Sequence, residues 1–369
     1  MAFDLSSEHL QLKRDAARLA ESSPPLRCGF AAAGWRALAE TGVFAQAAGE
    51  TPRATDTAVR FEGYGRGGAD RGLLFAAGAH LYGGVVPIAR YGSPAQKARW
   101  EGRLREGAAI AALAVTEAGG GSSFETITLR AEMAADGFRL TGVKTLISNA
   151  PVADVFVVLA RQFPERGALG LTAFLAPREA PGLQTRGLPA QPGLKGAPIG
   201  EAAFDNALLP PDSVLGAPGA GLRVFATAMV WERSLLLAGA LGSAERDLAA
   251  TVDQLVGRGA LIEKQAVSHR LARMKIRLEG ARALLYRAAS ALDAGREDAC
   301  VASMAKVAVS EALVANAEDG MRLMAGAAWR GAAPDFSAAL ADAFAGLFAS
   351  GTTEMQLEQI ARGLRRGEI

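Results

Sequence analysis

The sequence predicts an α+β protein in three parts: a helical region to about residue 110, a small β-domain over 111–217 and a helical region over 218–369. Three observations carry this. Apolar residues recur at steps of three and four in the first and last parts, the mark of helices with one buried face. Between them, strand-like apolar runs are punctuated by Pro181, Pro189, Pro192 and Pro198, with no long helical pattern. Glycines and small hydroxyl residues stand at the edges of those runs, in Ala114–Ser123 and Gly142–Asn149.

The elements follow in order. Ser6 or Ser7 caps a first helix reaching Ala20, with Leu10, Leu12, Ala16 and Leu19 at apolar positions, and Pro24-Pro25 stops it. A short helix starts at Trp35 and ends near Gly42. Ser93 caps another, with Pro94 in its first turn. In the middle part Phe138–Thr141, Val155–Ala160 and Gly170–Leu175 read as strands. The strongest helix spans 262–292. Its Val267, Leu271, Met274, Leu278, Ala281, Leu285, Ala288 and Leu292 alternate steps of four and three, a seam that packs inside a bundle or between subunits. Asp293-Ala294-Gly295 ends it, and an alanine-rich helix follows over 299–324.

Composition narrows the function classes. A chain of 369 residues can bury one large core or several moderate ones. The chain reads as lacking a run of about 18 apolar residues without charge, so no membrane span is expected. Met1–Glu8 carries acids where a secretory signal would be basic, and Cys28 and Cys300 lie far apart without metal-ligand spacing; both point to a reducing, cytoplasmic setting. Lys plus Arg number 40 against 38 Asp plus Glu, which leaves no basic footprint for nucleic acid. Three histidines are too few and too scattered for a metal cluster, so no metal is expected.

The glycine and hydroxyl runs suit a flat polar heterocycle, which needs backbone close enough to touch it and hydroxyls to orient its edge. Thr116-Glu117-Ala118-Gly119-Gly120-Gly121-Ser122-Ser123 resembles the Thr-Glu-Pro-x-Ala-Gly-Ser-Asp run of the acyl-CoA dehydrogenase family, and Lys144-Thr145-Leu146-Ile147-Ser148-Asn149 its Lys-x-Trp-Ile-Thr-Asn run. Tyr91–Lys97, Glu263–Ala266, Leu271–Met274 and Gly351–Gln356 resemble further family segments in the same order. The resemblance implies a helical N-terminal domain, a barrel-like middle domain and a C-terminal four-helix bundle. It also implies FAD, an acyl thioester on coenzyme A or on an acyl carrier protein, and an electron-transfer flavoprotein or similar acceptor. Thr116, Ser122, Leu146, Ser148, Thr352 and Glu354 are the cofactor contacts it implies, and Ser122, Met229 and Arg233 the substrate contacts. Leu146 replaces the usual aromatic, Ala118 a proline and Ser123 an aspartate.

Family members remove an α-proton from the thioester while a β-hydride passes to the flavin, which requires a carboxylate base. Many carry it just before the C-terminal Gly-Thr; here that position is Ser350, whose hydroxyl cannot replace it unaided. A subset carries a Glu-Arg pair at the start of the first C-terminal helix, and Glu232-Arg233 matches it. On a helix Glu232 would have Ala228, Met229, Leu235 and Leu236 as neighbours, all apolar, which raises its pKa and its strength as a base. The competing reading is an acid serving the helix dipole. Glu117 and Glu354 are weaker candidates for the base, their family counterparts lying on flavin-side loops.

One part of the pattern is eroded. Asp253–Gly259 stands where Arg-x-x-Phe-Gly is expected, Arg322–Trp329 where Gln-x-Phe-Gly-Gly-x-Gly is expected, and Ala341 replaces an arginine. These segments serve a neighbouring subunit's flavin in the family. Arg258 and Arg322 are the remaining phosphate candidates, against a default of surface arginine. The leading reading is an FAD-dependent α,β-dehydrogenase of an acyl thioester with Glu232 as base, working as a homo-oligomer or as a heterotetramer with a related chain. The alternatives are a dehydrogenase of carrier-protein-bound acyl groups and a non-catalytic or half-site subunit.

Overall fold

A computed structural model describes residues 5–27, 29–46, 53–331 and 334–367; Met1–Asp4 and Cys28 lie outside them. The chain begins with α1 (Ser7–Ser22), α2 (Ala32–Glu40), α3 (Val43–Gln46) and α4 (Ala54–Arg66). Ser6 caps α1 by accepting from the His9 amide at 3.2 Å. The second helix starts at Ala32, three residues before the expected Trp35, whose indole donates to Gly107 O at 2.9 Å.

Next come α5 (Arg71–His80), a π-helical turn (Leu81–Val85) and α6 (Val86–Tyr91), running on as one rod. Ser93 then caps α7 (Pro94–Arg105) in a full capping box with Gln96. The Gln96 amide continues to Asp212 O at 2.7 Å and Val214 O at 2.9 Å, tying the helical part to the far end of the β-region.

The β-region holds β1 (Ala111–Ala114), β2 (Arg130–Ala134), β3 (Gly137–Ser148), β4 (Val155–Arg161), β5 (Leu171–Pro177), β6 (Leu183–Gly187) and β7 (Ile199–Leu209). They form one curled sheet in the order β1-β4-β2-β3-β7-β6, with β5 on β4. β4 explains the cohesion. Phe156, Val158 and Ala160 enter the sheet's own core with Phe138, Phe174 and Phe204, while Val155, Val157 and Leu159 enter the core shared with the helices. A strand buried on both faces reads as a continuous apolar run, as Val155–Ala160 does.

The last part comprises α8 (Gly221–Leu235), α9 (Ala238–Val256), α10 (Gln265–Asp293), α11 (Ala299–Met324), α12 (Gly326–Trp329), α13 (Phe336–Phe348) and α14 (Thr353–Arg366). α10 starts at Gln265 rather than 262. Its seam is buried from Met274 through Leu292, and Val267 and Leu271 are half-buried. α9 crosses α4 backbone to backbone: a methyl on Gly65 or Gly242 would strike the facing helix's main chain.

One expectation needs correction. Arg71–Tyr91, Gly221–Val256 and Ala299–Met324 are long and apolar enough to cross a membrane, and the first holds an uncharged stretch of 18 residues, 72–89. Their apolar windows are 83%, 72% and 61% buried inside the protein, so this surface serves the internal core.

Candidate active site

The two glycine and hydroxyl runs lie side by side. The Thr145 amide donates to Thr116 O at 2.9 Å, and the Lys144 ammonium reaches Val115 O and the Glu117 carboxylate, each at 2.8 Å. Glu117 also accepts from the Thr128 amide at 2.7 Å, its hydroxyl at 2.6 Å and the Leu129 amide at 3.0 Å. Burial opposes its charge, but Lys144 and these donors outweigh it and hold the carboxyl below its usual range. Burial pushes fully buried Lys144 down to about 8 against the pull of Glu117. With its oxygens so engaged, Glu117 braces the two runs and is not a free base. His80 sets the start of β1, accepting the Ala111 amide at 3.0 Å on Nδ1 with Nε2 3.0 Å from Leu104 O; burial depresses its pKa to about 4 and keeps it neutral.

On β3 the ladder to β7 slips between Lys144 and Ile147, and Leu146 adopts a left-handed φ of 54°. Its side chain is 64% exposed, flanked by inward Ile147 and half-buried Ser148. An exposed leucine in a strained conformation, beside hydroxyls at the bulged end of β3, fits a flat ring laid against that strand end. Thr116 is half-buried under the glycine loop, with its γ-methyl 3.3 Å from where a Cβ on Gly121 would lie. Ser122 is exposed on that loop, which leans on α8 through the edge-on rings of Phe124 and Phe225, 5.0 Å apart.

Glu232 occupies the last turn of α8, not the start of a helix as expected. The helix C-terminus carries partial negative charge, so a dipole role is excluded and the dipole itself disfavours the ionised carboxylate. Its burial (9% exposed) pushes the pKa up to about 7, moderated by Ser350 and then Arg233. Ser350 Oγ donates to Glu232 Oε2 at 2.7 Å. Oε1 faces the other way, 3.1 Å from where a Cβ on Gly83 would sit; that same Cβ would be 2.9 Å from the Leu113 Cβ on β1. Gly83 therefore lets the carboxylate and β1 approach each other. The Tyr82 ring stacks on Trp231 at 6.3 Å, and burial and the Glu232 charge keep its phenol protonated.

Met229, one turn before Glu232, is buried. Half-buried Arg233 donates from Nε to Ser350 O at 3.0 Å, so it and Glu232 meet at the same residue. Thr352 caps α14 by accepting the Met355 amide at 3.4 Å, and Glu354 lies exposed in that helix's first turn. Both line an open cavity of about 480 Å³ with Glu311, Glu318, Leu347 and Phe348, on the surface of the helical part. Arg258 and Arg322 are exposed. Ala325, standing where the eroded run has lost a glycine, keeps a left-handed φ of 47° and so a glycine-like backbone. Sequence reasoning missed Gly83, Leu113 and the bond from Ser350 to Glu232. A glycine pair at 83–84 inside an otherwise apolar helix was the available signal for the first.

A buried carboxylate of raised pKa near Gly83 and a hydroxyl-bearing bulge on β3 are features expected of a flavin-dependent dehydrogenase of acyl thioesters. Comparison with known proteins agrees. The sequence matches the acyl-CoA dehydrogenase middle domain over residues 112–207 and the acyl-CoA dehydrogenase C-terminal domain over 219–365. The chain belongs to the acyl-CoA dehydrogenase family. It is 37% identical over 348 residues, 91% of each chain, to an L-prolyl-[peptidyl-carrier protein] dehydrogenase of Pseudomonas fluorescens. Among solved structures it resembles the FAD complex of PigA (TM-score 0.93, 32% identity, 99% of both chains covered). It also resembles the prolyl acyl carrier protein oxidase AnaB (TM-score 0.92, 30% identity, 98% of this chain and 100% of that one).

Proposed function

We propose that this protein oxidises a small acyl group, L-prolyl in the first instance, held as a thioester on a carrier protein in the cytoplasm, with Glu232 as the base. The observation that carries the chemistry is the Glu232 carboxylate: buried, with a pKa pushed up to about 7, one oxygen on Ser350 and the other directed toward Gly83 and β1. Likeness over 91% of the chain to a prolyl-carrier-protein dehydrogenase supports a carrier-bound prolyl group among acyl thioesters.

Thr116, Ser122, Leu146 and Ser148 hold FAD from the sheet side, and Thr352 and Glu354 hold it from the start of α14. When bound, FAD supplies the acceptor for a hydride from the β-carbon. Glu232 takes the α-proton, so the acyl group loses one proton and one hydride and gains a double bond. Ser122, Met229 and Arg233 line the thioester's path. The buried Tyr82–Trp231 pair excludes water from the base, which keeps its proton affinity high. Electrons leave to an electron-transfer flavoprotein or an equivalent acceptor.

Exposed Trp329, Phe344, Phe348, Leu357 and Leu364 on α12–α14 favour burial in an oligomer. The lost pyrophosphate loops make that oligomer either a divergent homo-oligomer or a heterotetramer with a related chain. Native mass spectrometry with flavin quantification separates the two. For the activity, the FAD-loaded protein is mixed without oxygen with L-prolyl-S-carrier protein or with an acyl-CoA panel. Bleaching of the flavin by the carrier-bound prolyl group is expected. Bleaching by acyl-CoA alone contradicts the carrier assignment, and no bleaching by either contradicts the enzyme reading.

A further inference from the structure

We infer that Ser350 is the positioning residue of the base: its hydroxyl fixes Oε2 of Glu232 and turns Oε1 toward the substrate. This rests on the reading of Glu232 as base and adds to it a second residue, 118 positions away in the chain.

Three anchors hold the hydroxyl in place. Ser350 has a left-handed φ of 57°, which a glycine would adopt more readily. Its carbonyl is gripped by Arg233 Nε at 3.0 Å and by Gln356 Nε2 at 3.3 Å. Gln356 is fully buried, also donates to Gly351 O at 3.2 Å, and accepts from Ser303 at 2.9 Å. Behind the loop, Lys306 donates to Leu347 O at 3.0 Å and pins the end of α13. A loop needed only as a turn would be served by glycine, which the chain does place next, at 351. The scaffold instead supports a side chain in a conformation unfavourable for it, and that side chain's one donor meets the carboxylate.

The surroundings leave this role to Ser350. From α8, Arg233 favours the charged form of Glu232 while its Nε is committed to the loop. From the π-turn comes Tyr82, neutral and buried. From α11, Lys306 acts on Arg233, and Glu354 of α14 in turn acts on Lys306. β1 contributes apolar Leu113. A hydroxyl donating to the carboxylate stabilises its ionised form. Without it, burial acts with less opposition, and the carboxyl stays protonated to higher pH and is free to rotate.

The test is the rate of flavin bleaching by the thioester substrate in single turnovers across pH, with the FAD-loaded protein. S350G suits the left-handed backbone and removes the donor. S350N also tolerates that backbone and restores a donor. In S350G the midpoint of the pH profile moves alkaline by about one unit and the plateau rate falls about tenfold, the value of one hydrogen bond to a charged group. S350N recovers part of both, and flavin content is unchanged. An S350G profile matching the parent in midpoint and plateau overturns the inference. E232Q separates the two failures: an active E232Q removes the base reading itself, whereas an inactive E232Q with a parent-like S350G removes only the role of Ser350.

Discussion

Replacing Glu232 by glutamine tests the burial of this carboxyl without any substrate. In the folded protein its pKa stands at about 7, against an ordinary 4.5. An acid whose folded pKa is raised makes the folded state bind more protons than the unfolded chain over that interval, so stability falls as pH rises through it. The penalty is absent below about pH 4.5, complete above about pH 7, and amounts to about 3 kcal/mol. Glutamine cannot ionise, yet its carbonyl still accepts from Ser350, so the variant escapes the penalty without losing the bond. Glu232→Gln should match the parent near pH 4.5 and exceed it by about 3 kcal/mol at pH 8, or about 4 °C in melting temperature for a chain of this length. Denaturant titrations of both proteins at the two pH values measure this. A pH-independent difference, or a less stable variant at pH 8, refutes the claim that the carboxyl is buried with a raised pKa.

Further predictions concern the frame around Glu232. Lys144→Met leaves the Glu117 carboxylate in a buried site without its cation and should destabilise the protein by about 3 kcal/mol or more, read by denaturant melts, with loss of bound flavin. Leu146→Gly relieves a left-handed leucine and removes apolar cover, so the flavin-free protein should be no less stable while FAD binds roughly tenfold more weakly by fluorescence titration. Gly83→Ala places a methyl 3.1 Å from Glu232 Oε1 and 2.9 Å from Leu113 Cβ; bleaching should slow by about tenfold or more at unchanged flavin content.

Where sequence sufficed, the signals were local. The Ser93 cap, the seam of α10 and the strand at Val155–Ala160 each follow from spacing and residue type within one element. The boundary that matters most was not legible. α8 gives way to α9 at Leu236–Leu237, inside the apolar run Leu235–Leu237, with neither proline nor glycine at the junction. Nothing in that run marks Glu232 as a helix-end residue. The Arg71–Tyr91 rod hides for the opposite reason: Gly78, Gly83, Gly84 and Pro87 read as breakers. The glycines are kept for close approach to Leu236 and β1, and the helix opens into a π-turn just ahead of Pro87. The bond from Ser350 to Glu232 is a tertiary contact, and periodicity carries no information about it.

The most direct measurement is an anaerobic single turnover of the FAD-loaded protein and its Glu232→Gln variant with L-prolyl-S-carrier protein. The parent should bleach with a rate that rises through about pH 7, and the variant should keep its flavin and stay oxidised. A variant that bleaches at the parent's rate would contradict the assignment of Glu232 as the base.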